Sequence, residues 1–129
     1  MTLANYCLII AGVLPILCAG LAKSKGFGKH RRDGGYDNHD PRGWLNRQSG
    51  WQARANAAQA NSFEALPLFV AGVLAAQQMQ HDQSRIDLLA VSFIVLRLLY
   101  VAFYVANVAG LRSAAWIAGM GVSIALFFV

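Results

Sequence analysis

Read from its amino terminus, the chain alternates long apolar runs with short polar punctuation. Residues 3–22 carry no charge over 20 positions, which matches the roughly 20 residues a helix needs to cross a hydrocarbon core about 30 Å thick. The first charges follow this run, whereas a cleaved leader peptide carries them ahead of it. Residues 23–50 are rich in Gly, Asp, Asn and Arg and predict a loop, with a short interfacial helix near Trp44. Apolar character returns over residues 51–78, 86–109 and 113–129. The segment QHDQSR predicts a short turn between the second and third runs, and GLRS a tight connection into the last. The expected architecture is an all-α membrane protein, an antiparallel bundle of four transmembrane helices forming one domain over residues 1–129.

Composition strengthens this expectation. The chain is 57% hydrophobic and 13% charged, against about 25% charged in an average soluble domain. A net charge of +5 raises the possibility of a nucleic-acid partner, but eight of the eleven Lys and Arg fall between Lys23 and Arg54. A basic cluster held between apolar runs reports membrane topology, and no nucleic-acid partner is expected. Lys23, Lys25, Lys29, Arg31, Arg32, Arg42 and Arg47 in the first loop, with Arg112 before the last run, outweigh the single Arg85 on the other side. The first loop is therefore expected in the cytoplasm and both termini away from it.

Little conventional site chemistry is visible. Cys7 and Cys18 lie eleven residues apart in the first run, about 16 Å along a helix and too far for a disulfide. His30, His39 and His81 lie in polar segments without ligand spacing, and no metal site is expected. Trp44, Trp51 and Trp116 suit the interfacial belts of a membrane protein.

The informative positions are polar residues inside apolar runs. In the second run, Arg54, Asn61 and Glu64 stand at i, i+7 and i+10, on one side of a helix, and Pro67 follows within a turn. In the third, Arg97, Tyr100 and Tyr104 stand at i, i+3 and i+7 and again share a face. Counted outward from the short turn between these runs, Glu64 and Arg97 reach similar depth. An unpaired charge near the bilayer centre costs at least about 2.5–3.5 kcal/mol, so a direct Glu64–Arg97 ion pair is predicted. Such a pair on its own would merely join two helices. With Asn61, Tyr100, Tyr104 and Arg112 beside it, the set describes a pocket for a polar, anionic small molecule near the cytoplasmic face.

At these residues the sequence resembles the MAPEG superfamily, membrane-associated proteins in eicosanoid and glutathione metabolism, and most closely its small bacterial members. The likeness rests on Asn61, Glu64 and Pro67 in the second run and on the segment RLLYVAFYVANVAGLRSAAW across the last two. The resemblance implies a homotrimer in a membrane, here a bacterial inner membrane, with lipids and lipophilic small molecules as further partners. It implies glutathione as co-substrate, bound between subunits. Carried across by position, Arg54, Asn61, Glu64, Arg97, Tyr100 and Tyr104 would bind or support glutathione, and Arg112 with Ser113 would serve the chemistry. Glu64 would accept from the peptide's amino group, and Arg112 would stabilise a thiolate from a thiol whose ordinary pKa is near about 8.5. The pattern departs from the eukaryotic members at Ala57 and Ala60, where they carry arginines, and at Gln59, where histidine is common. The implied activity is a transferase or peroxidase acting on lipophilic electrophiles. The alternative is a glutathione- or lipid-binding or structural protein of the same fold without turnover. A small multidrug transporter, which also has four short helices, would place its membrane glutamate in the first helix, where this chain has none.

Overall fold

A computed structural model describes all residues, 1–129. Four long helices account for most of the chain: α1 (Leu3–Lys23), α3 (Gly50–Gln78), α4 (Gln83–Val105) and α5 (Ala109–Ala125), with a short α2 (Pro41–Asn46) in the first loop. Helix α1 packs on α3 and α4, α3 and α4 pack on each other, and α5 packs on α4 and α3.

The packing is inverted relative to a water-soluble protein. The buried seam of α1 is mostly small, with Ala4, Cys7, Ala11, Leu14, Cys18 and Ala22. Its exposed face carries Ile9, Ile10, Val13, Ile16 and Leu17. Small residues at a helix contact with large apolar ones outward is what a lipid surround favours, because close packing, and not hydrophobic burial, holds helices together there. Two helices are both long and apolar enough to cross a membrane, within Leu3–Gly26 (mean hydropathy 2.0) and Gln83–Val105 (mean hydropathy 2.3). Helix α3 is long enough at 29 residues, but its first half carries the polar stripe; α5 has 17 residues. In the core, the rings of Phe69 on α3 and Phe93 on α4 stack with centroids 3.9 Å apart. Gly72 lets α3 approach α5, since a Cβ there would meet the Ser123 carbonyl at 2.9 Å and Leu126 Cβ at 3.0 Å.

Helix boundaries differ from expectation where local chemistry overrides hydropathy. Asp82 caps α4 by accepting from the Ser84 N–H and hydroxyl, starting the helix at Gln83 instead of 86. The Ser84 hydroxyl bond, with its N–H, holds the exposed Asp82 carboxyl below its usual range. Helix α4 then ends at Val105 instead of 109, because Asn107 turns left-handed (φ 63°). Its N–H bonds the Tyr104 carbonyl (3.1 Å) and the Val108 N–H bonds the Phe103 carbonyl (2.8 Å). This is the Schellman arrangement, with asparagine where glycine usually stands. Gln80 (φ 58°) ends α3 the same way. The connection into the last helix is thus residues 106–108, and GLRS lies inside α5. Ser113 lies within the helix, and the capping position is Val108, which offers no side-chain acceptor.

The basic loop is folded onto the ends of α1, α3 and α4. Trp44, only 4% exposed, packs with Leu45, Ala22 and Ala55, flanked by Tyr36 and Val105. It sits over Gly26, where a Cβ would collide with its indole, and its Nε1 donates to the Gly34 carbonyl (3.4 Å). The interfacial role expected for Trp44 is corrected: it is the centre of a small aromatic core. Tyr36 meets it edge-on at 5.4 Å, and the Lys23 ammonium lies 4.8 Å over the Tyr36 ring. Both cysteines are buried and free.

Candidate functional site

The two polar stripes do face each other, through a different set of contacts from the ion pair predicted. Arg97, on α4, is 3% exposed. One guanidinium nitrogen donates to Asn61 Oδ1 (3.0 Å) and another to the Ser62 hydroxyl (3.1 Å). Asn61 Nδ2 in turn donates to Glu64 Oε2 (3.2 Å). Glu64 itself is exposed and forms no ion pair with Arg97. The expected direct pair is thus replaced by a relay, Arg97 to Asn61 to Glu64. The reason lies in the path of the arginine. Its guanidinium lies 4.2 Å over the Tyr100 ring, one turn further along α4, which carries the planar fork to the level of Asn61 and Ser62. Those acceptors are adjacent in sequence, so the fork spans them and makes no bond to the carboxylate two residues beyond Ser62.

Beyond Arg97 the aromatic series continues. Tyr100, 5% exposed, meets Tyr104 edge to face, centroids 5.6 Å apart and planes at 85°. The Arg112 guanidinium, arriving from the first turns of α5, lies 4.5 Å over the Tyr104 ring. It has no carboxylate within ion-pair distance and no hydrogen-bond acceptor in the protein. Asn61, Tyr100, Tyr104, Arg112 and Ser113, together with Trp116 and Ile117, line one open cavity of about 400 Å³. Five of the eight positions picked out in the sequence thus meet in one place.

The other three lie around it. Glu64 and Arg97 line a smaller, partly open space of about 30 Å³ between α3, α4 and α5, bounded also by Ser123 and by Trp116, which is shared with the larger cavity. That volume suits a single water molecule. Arg54 lines neither. Its Nε and a terminal nitrogen both donate to the Val105 carbonyl (3.1 Å each), so it closes the end of α4 and steadies the link into α5.

Two participants escaped the sequence reading. Ser62 accepts from Arg97 while its hydroxyl donates to the Ala58 carbonyl (2.8 Å); it stands beside Asn61, one position off the counted stripe. Trp116 follows Arg112 by four residues, so helical spacing alone puts it on the same face.

What the arrangement can do chemically follows from its charges. A carboxylate with one amide contact stands in the smaller space, a guanidinium without a protein acceptor lines the larger one, and tyrosine rings lie between. The free N–H groups of the first turn of α5 add positive character, with no acidic side chain there to oppose it. The combination suits a zwitterionic, anion-bearing molecule, and its walls at Trp116 and Ile117, 40% and 64% exposed, open toward the apolar exterior.

A model of the MAPEG family matches residues 3–129, essentially the whole chain. No curated protein and no solved structure is a significant match. On the family match and the two apolar helices, this is a membrane protein, and the chain belongs to the MAPEG family.

Proposed function

We propose that the protein is an integral membrane enzyme that binds glutathione, stabilises its thiolate and delivers it to lipophilic electrophiles or hydroperoxides. Membership of the MAPEG family supports a glutathione-related role of this kind. The observation that carries the reading is Arg112: a guanidinium stacked on Tyr104, unneutralised by any carboxylate, in a cavity with Asn61, Tyr100 and Ser113. A cation so placed lowers the pKa of a bound thiol and raises the thiolate population at neutral pH. The released proton passes to water at the mouth, and sulfur then attacks an electrophilic carbon, whose leaving group departs with the bonding pair. Glu64 accepts from the ammonium of the γ-glutamyl residue, with Asn61 orienting the carboxylate and Arg97 holding Asn61. Tyr100, Tyr104 and Ser113 offer hydroxyls to the peptide.

In this reading all four long helices span the bilayer, the basic loop faces the cytoplasm of a bacterial inner membrane, and both termini lie opposite. The protein assembles as a homotrimer. Asn56, Gln59 and the small residues Ala53, Ala57 and Ala60 border an open hollow of about 410 Å³ along α3, a surface that admits a neighbouring helix closely.

The test is an absorbance measurement of thiolate formed when purified protein receives glutathione at neutral pH. A thiolate signal at up to one equivalent per subunit is expected. Absence of any signal at millimolar glutathione overturns the enzymatic reading. Calorimetric binding without thiolate leaves the non-catalytic alternative.

A further inference from the structure

We propose that Tyr104 is the positioning residue for Arg112 and acts through the face of its ring, its hydroxyl being dispensable for this purpose; the functional part of the proposal rests on the glutathione reading above. A long arginine at a helix start has many rotamers, and a site that must stabilise an anion needs one of them. The usual way to hold a guanidinium is a carboxylate, but a carboxylate would neutralise the charge that the anion requires. The protein holds Arg112 differently. The ring of Tyr104 lies 4.5 Å beneath the guanidinium, and the ring quadrupole attracts the cation without contributing a negative charge. All of the edge N–H donors of Arg112 remain available, since none has a protein acceptor.

The ring is itself held. Tyr100 packs edge-on against Tyr104 at 5.6 Å, and Tyr100 is buried beneath the Arg97 guanidinium at 4.2 Å. Arg97 is tied to α3 by Asn61 and Ser62. The result is a ladder from α3 through one face of α4 to α5, in which cations and rings meet in the order Arg97, Tyr100, Tyr104, Arg112. Its spacing on α4, at i, i+3 and i+7, keeps the three rungs in register over two helical turns. The ladder therefore transmits the rigid placement of a buried arginine to an accessible one.

The experiment compares Tyr104→Phe with Tyr104→Leu in two measurements on the purified full-length protein. The first needs no glutathione: the rate at which phenylglyoxal modifies Arg112, followed by peptide mass spectrometry. The second is the thiolate fraction at neutral pH with glutathione bound, with glutathione affinity measured in parallel. The ring-only variant, Tyr104→Phe, is expected to keep the wild-type modification rate and the wild-type thiolate fraction of bound glutathione, while its affinity weakens through loss of one hydroxyl contact. Tyr104→Leu is expected to speed modification of Arg112 severalfold and to lower the thiolate fraction by about tenfold, with affinity changed far less. Should Tyr104→Leu fail to fold, Tyr104→Met fills similar volume without a ring and takes its place. The proposal is overturned if the ringless variant behaves as wild type, or if Tyr104→Phe loses as much as Tyr104→Leu. If wild type forms no thiolate, the glutathione reading fails, and the modification rates alone decide the ladder.

Discussion

Arg97 and Arg112 each stack on a tyrosine of α4, yet the protein treats them in opposite ways. Arg97 is buried and spends its donors on Asn61 and Ser62, both neutral, so its charge is spread over hydrogen bonds and an aromatic face. Arg112 stands at an open cavity with no protein acceptor. The difference separates two uses of one side chain in a membrane. Where the partners are built in, the arginine joins helices; where they are withheld, its donors stay open to the cavity. Arg54, bound to the Val105 carbonyl, belongs with the first kind although it lies toward the same end of the molecule as Arg112.

The sharpest way to break this division is to exchange the expected phenotypes. Arg97→Met removes two charge-assisted hydrogen bonds and leaves Asn61 Oδ1 without its donor. It should cost about 2–4 kcal/mol of stability, read as a large drop in the denaturation midpoint in detergent. An unchanged midpoint would remove Arg97 from the structural class.

Arg112→Ala should do the reverse. Thermal stability and oligomeric state stay at wild type, because only a ring contact is lost. The thiolate fraction falls at least about tenfold, the equivalent of one pKa unit. Arg112→Lys should restore part of it, since lysine keeps the charge without the planar fork. Full thiolate in Arg112→Ala would show that the accessible arginine has no part in the chemistry.

Arg54→Gln sharpens the comparison from the other side. Loss of the bonds to Val105 should cost about 1–2 kcal/mol while the thiolate signal persists. A variant that is stable but silent would place Arg54 with Arg112 after all.

A small stability effect is expected for Glu64→Gln. Its carboxylate is exposed and touches only Asn61, so the melting temperature should move less than in Arg97→Met or Arg54→Gln, while glutathione affinity, measured by calorimetry, weakens. A collapse in stability would mean that Glu64 bears on Arg97 more directly than the relay through Asn61 implies.

The sequence alone determined a good deal. Long apolar runs marked helices, since a peptide in lipid must satisfy its own backbone. The spacing of Arg97, Tyr100 and Tyr104 placed them on one face, because helical periodicity is insensitive to what packs against it. The same regularity brought Asn61 opposite Arg97. Several things lay beyond it. The end of α4 depended on Asn107 adopting a left-handed backbone, which hydropathy does not register. Trp44 and Trp116 read alike as belt residues, yet one is buried against Gly26 and the other walls the cavity; only the folded loop distinguishes them. Above all, counting residues put Arg97 level with Glu64, and only the tertiary structure decided that it would bond Asn61 and Ser62. Periodicity fixes where a Cα stands to within about a turn, but an arginine reaches further than a turn. Its destination is set by the ring it lies on and by the acceptors its neighbours present.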